Sequence, residues 1–173
     1  PICSRGPGSG ISVGGGGLHA DTIDLTGLGE GGGHGLHLRT ATLGSRQLIL
    51  HGRVDQTALF GNFAGLLMEQ VALEMRPGGS ATLMGDNLGL RNVLAAGAPA
   101  SFSMRSDRSI MVRNSSLDFR EGAGTSVSFL SDADSDNAGR VRIDNSSLYT
   151  GGGNFSVSGG TGYAAALVSV DGS

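Results

Sequence analysis

Lysine and tryptophan are missing from this 173-residue chain, and cysteine occurs once, at Cys3. A lone cysteine excludes an internal disulfide framework and a cysteine-based zinc site. It has no neighbouring histidine in sequence, which argues against a nucleophilic role. All 12 basic residues are arginine, and nothing in the pattern explains that preference. Aromatic residues are 5% and hydrophobic residues 38%, so the core is thin and aliphatic, as in a solenoid rather than a globule with one large centre. A net charge of −3 without a basic stripe excludes a nucleic-acid binder. No apolar run approaches transmembrane length, so membrane insertion is not expected. Residues 1–10, with Pro1, Pro7 and three glycines, lack the apolar centre of a secretory signal and read as a flexible lead-in.

Glycine, by contrast, is abundant. The 32 glycines cluster in turns rather than following a collagen-like period. Between them runs a nine-residue repeat, clearest at Arg140–Leu148 (RVRIDNSSL) and Ser109–Leu117 (SIMVRNSSL), and looser at residues 17, 35 and 65. Its second position holds Leu18, Leu36, Leu66, Ile110 and Val141; its fourth holds Ala20, Leu38, Met68, Val112 and Ile143; its ninth holds Leu25, Leu43, Leu73, Leu117 and Leu148. Positions two and four point to one side of an extended chain. The polar pair at five and six suits a corner, and seven and nine face inward from a second strand. A third alternating pair follows: Leu48/Leu50, Ala81/Leu83, Val127/Phe129 and Phe155/Val157.

Three short strands per repeat predict an all-β fold, a right-handed parallel β-helix of roughly six or seven coils over 11–173. Each coil buries its apolar side only by stacking on the next. Two regions strain the pattern. Residues 60–76 also suit a helix, which their register with the other copies disfavours. Residues 89–108 start well at Gly89-Leu90 but lose the template over Ala95–Ala100 before Phe102-Ser103-Met104 resumes alternation. The first coil shows no evident third strand, and residues 164–170 read as a further strand. Both ends read as cut from something longer.

The segment Val127–Ile143, with its Asp132-Ala133-Asp134-Ser135-Asp136 loop, followed by Asn145-Ser146-Ser147-Leu148-Tyr149-Thr150-Gly151-Gly152-Gly153-Asn154-Phe155, resembles the passenger repeats of filamentous-haemagglutinin-type exoproteins. The likeness is closest over 109–160. It implies a segment of a large secreted or surface-exposed protein of a Gram-negative bacterium, downstream of the secretion domain, acting as adhesin or β-helical scaffold. It also implies an outer-membrane transporter of the two-partner route as export partner and a host-cell surface or glycan receptor. Two other readings use the same fold: a polysaccharide-active lyase or hydrolase, and a haem- or haemopexin-capturing exoprotein.

Candidate sites are few. Asp132, Asp134 and Asp136 alternate as calcium ligands do, yet the EF-hand places for glycine and the closing carboxylate hold Asn137 and Ile143, so a solvated turn is the competing reading. Asn114 and Asn145 share one repeat position, and with Asn154 they begin Asn-X-Ser triplets; they are corner asparagines or glycosylation acceptors. His19 and His37 share the outward third position and should stack, without a carboxylate partner to complete a metal site. No in-register carboxylate pair marks an outward face, so catalytic residues are not assigned and no cofactor is expected beyond the calcium question.

Overall fold

A computed structural model describes residues 2–7, 10–30, 33–54, 65–135 and 139–159. Within them the chain is all-β, and its fifteen strands form one curled parallel sheet. In chain order they are β1 (Ile2–Pro7), β2 (Ile11–His19), β3 (Thr22–Glu30), β4 (Leu36–Val54), β5 (Leu66–Glu69), β6 (Ala72–Gly85), β7 (Leu88–Arg91), β8 (Leu94–Gly97), β9 (Ser101–Ser106), β10 (Ser109–Arg113), β11 (Ser116–Asp118), β12 (Ser126–Leu130), β13 (Arg140–Asp144), β14 (Ser147–Tyr149) and β15 (Phe155–Ser158). Residues 66–69 and 72–76 are strand, as the repeat requires; residues 60–64 and the expected strand at 164–170 lie outside the described residues.

The strands sort into three ladders, each residue pairing with the same place one repeat later. The first stacks Ile11, Leu36, Leu66, Leu88, Ile110 and Val141. The second stacks Leu18, Leu43, Leu73, Ala95, Leu117 and Leu148. The third stacks Ile23, Leu48, Ala81, Phe102, Val127 and Phe155, with Leu25, Leu50, Leu83, Met104, Phe129 and Val157 two residues on. Alternation sends these side chains inward and their neighbours outward, and most of the columns are fully buried. Each buried leucine contributes about 1.5–3 kcal/mol. No strand carries an apolar face wide enough to be stable alone, so the stacking is the source of the core.

The ladders correct the expected register in two places. The first copy begins at Gly10, not Gly17: Ile11 takes the second position and Leu18 the ninth, while Leu25 belongs to the third ladder beside Leu50. The run Gly14–Gly17 hides the corner, because Gly15 and Gly16 (φ 68° and 102°) do there what polar residues do elsewhere. The third strand missing from the first coil is β3. The degenerate copy expected to start at Gly89-Leu90 starts two residues earlier, at Asn87, with Leu88, Leu90 and Ala95 in place; alanine in the leucine column obscures it. The leading segment is also corrected. Ile2–Pro7 pairs with Leu25–Glu30 as β1 and extends the third ladder, since backbone pairing asks little of a Gly- and Pro-rich side-chain sequence.

Two of the corners explain the composition. Between the first and second ladders the chain turns through a left-handed residue in every rung: Gly15, Thr40, Gln70, Asn92, Asn114 and Asn145. Only glycine, and next asparagine, adopt that conformation at low cost. Between the third and first ladders, Gly27, Gly52, Gly85 and Ser106 stack in register. A Cβ at Gly52 would strike the Gly65 carbonyl, and one at Gly27 the Gly35 carbonyl. In the later rungs this corner opens enough for Ser106, whose Oγ donates to the Asp86 and Ser109 carbonyls at 2.8 and 3.1 Å. The remaining corner, between the second and third ladders, is made of loops of different length, and these shape the surface.

Candidate functional site

The outward side of the first corner carries a row of charge in register: Arg39, Glu69, Arg91, Arg113 and Asp144. Glu69 meets His37 Nε2 at 3.2 Å and Arg91 Nη1 at 3.4 Å. Asp144 accepts from Arg142 Nε at 2.7 Å and Arg113 Nε at 3.0 Å. The Arg142 hydrogen bond, with Arg113 behind it, holds the Asp144 carboxyl below the usual carboxylate range. Opposite charges meet at Glu69–Arg91 and Arg113–Asp144, while Arg91 and Arg113 are like charges in adjacent rungs; exposed pairs of this kind are each worth little.

Asn114 and Asn145 sit one place further along. Asn145 Nδ2 donates to Asn114 Oδ1 at 2.8 Å, and φ is 49° and 46°. The two serines that follow complete the turn. Ser115 Oγ donates to the Arg113 carbonyl and accepts from the Val93 N–H at 3.1 Å. Ser146 Oγ donates to the Asp144 carbonyl and accepts from the Ser115 N–H at 3.1 Å. The Asn-Ser-Ser triplets therefore form a hydrogen-bonded corner ladder. Asn154 lies elsewhere, exposed before β15, with its carbonyl accepting from the Val127 N–H.

Of the aspartate loop, Asp132 is half-buried with φ 61° and Asp134 is exposed. Asp136 lies outside the described residues. Among the described residues no three His, Cys, Asp or Glu side chains come together in a way that would hold a metal ion. The histidines are dispersed. His37 does not stack with His19 but pairs in register with Leu67 and Ser12, and its ring lies 5.0 Å from that of His34. His19 pairs with Gly44 on the second ladder, where a Cβ at Gly44 would run into its ring. The misplaced first copy is the reason for the mistaken stack. His51 faces out from the third ladder between Thr26 and Met84. Burial, and then the nearby Arg53 charge, lower its pKa.

One depression in the surface follows from the corrected register. Outward residues of the second ladder run His19, Gly44, Glu74, Ala96, Asp118 and Tyr149. The small Gly44, Ala96 and Gly97 leave a groove of about 460 Å³. Met75, Pro77 and the His19 imidazole line it, and Glu74, Arg76 and Glu121 supply its charged groups. Arg76 is engaged, with Nη1 3.7 Å from Asp21 Oδ1. Asp118 next to the groove is bound by Arg120, whose guanidinium also lies 4.3 Å from the Tyr149 ring centre. Of the groove residues only His19 stood out in sequence, and for a stack with His37 that does not form. Glu74 and Glu121 fall in different parts of their repeats, and only the loops bring them to one groove.

No known protein family, curated protein or solved structure matches this chain. Function therefore has to be argued from the geometry. The described surface offers paired charges, a hydrogen-bonded corner ladder and a groove beside the second ladder. Among the described residues no helix is long and apolar enough to cross a membrane.

Proposed function

We propose that the chain is a stretch of right-handed parallel β-helix, six or seven coils long, forming a rigid scaffold within a filamentous-haemagglutinin-type exoprotein at the bacterial surface. The observation that carries this reading is the unbroken register: each ladder runs through six successive repeats without losing its inward column. Connections between parallel strands of one sheet are right-handed in nearly all proteins, which supports that hand. At about 4.8 Å per rung, six or seven coils make a column of roughly 30 Å. Such a column holds its length under load because every rung shares hydrogen bonds with the next. The ion pairs Glu69–Arg91 and Arg113–Asp144 and the Asn-Ser-Ser ladder tie neighbouring rungs together, as a stalk requires. Export by an outer-membrane transporter and contact with a host-cell or glycan receptor belong to the same proposal.

Two measurements test it. The chain, placed behind a two-partner secretion domain and co-expressed with that domain's transporter, should reach the cell surface and become accessible to added protease. Retention inside the cell would count against it. Incubating the chain with polyuronates, sulfated polysaccharides and haem separates the other two readings. The scaffold reading expects no new reducing ends, no unsaturated product and no Soret band shift; turnover would promote the enzyme and a haem spectrum the haem-capturing exoprotein.

A further inference from the structure

We draw no further inference here: the strongest candidate, the in-register hydroxyl columns Ser80–Ser101–Ser126 and Thr82–Ser103–Ser128 on the outward face of the third ladder, is a stripe of small residues, and nothing else among the described residues points to what it would bind.

Discussion

Asn145 donates its side-chain amide to the Asn114 carbonyl oxygen at 2.8 Å across 31 residues of sequence, and both backbones are left-handed. The pair shows why asparagine recurs at this corner: it tolerates the conformation and links adjacent rungs with the same side chain.

Thr40 occupies the same row at φ 52°, and threonine is β-branched. That placement is strained by about 1–3 kcal/mol. Its contact with Gln70, Oγ1 to Oε1 at 3.3 Å, is one that asparagine can also make. Thr40→Asn should raise stability by about 1 kcal/mol, read as a higher urea midpoint with an unchanged slope. Asn145→Val should lower it by a similar amount or more. A neutral or destabilising Thr40→Asn would remove strain as the reason for the asparagines.

Ser45 is fully buried, and its Oγ has no hydrogen-bond partner among the described residues. An unpaired buried hydroxyl costs about 1–3 kcal/mol. Ser45→Ala should therefore stabilise the protein by around 1 kcal/mol in chemical denaturation. A loss of stability would mean that the hydroxyl is paired in solution.

Gly52 has no room for a side chain, because a Cβ would collide with the Gly65 carbonyl. Gly52→Ala should destabilise by about 1–3 kcal/mol through forced backbone displacement. Ser106→Ala, in the same column but at the wider end, should cost only the hydroxyl's hydrogen bonds with the Asp86 and Ser109 carbonyls and the Arg108 N–H. Equal melting temperatures for Gly52→Ala and the parent would show that the corner is not close-packed there.

His51 titrates below its ordinary value, first because of burial and then because of Arg53. The folded state therefore binds its proton less readily than the unfolded chain. Above about pH 6.5 the imidazole is neutral in both states and has no effect; as pH falls from there toward the lower folded pKa, stability declines. His51→Gln should flatten that part of the stability–pH curve between pH 7 and 5. An unchanged slope would place the titration elsewhere.

Leu117 lies in the second-ladder column between Ala95 and Leu148 and is 1% exposed. Leu117→Asp should unfold the neighbouring rungs, since an unpaired buried carboxylate costs several kcal/mol. Ser116→Asp, one residue away and facing outward, should be tolerated. A Leu117→Asp protein with the parent's melting curve and dichroism spectrum would defeat the register.

Much of this architecture was legible because alternation has a period of two and the coil repeats itself. Spacing alone puts Leu48/Leu50, Ala81/Leu83, Val127/Phe129 and Phe155/Val157 in equivalent places, and they lie in the two columns of one ladder. The errors came where a corner lost its polar marker. Gly14–Gly17 turns the chain without one, and Ala95 stands where leucine was expected. In the first copy the template match slides seven places, from Leu18 to Leu25. Placing β1 along β3 was beyond sequence reading for a different reason: its pairing is made by backbone groups that every residue shares.

The sequence by itself determined an all-β, parallel, stacked chain with aliphatic columns and an asparagine corner, because inward alternation and the left-handed turn impose residue types locally. It did not determine which outward residues meet. His37 with Glu69, Asp144 between Arg113 and Arg142, and Glu74 with Glu121 around one groove depend on rung lengths that vary from one repeat to the next. Those lengths are set by loops, and loops carry no period. Only the stacked backbone decides which distant residues become neighbours, since each rung places its side chains at the spacing of the strand ladder whatever the length of chain between them.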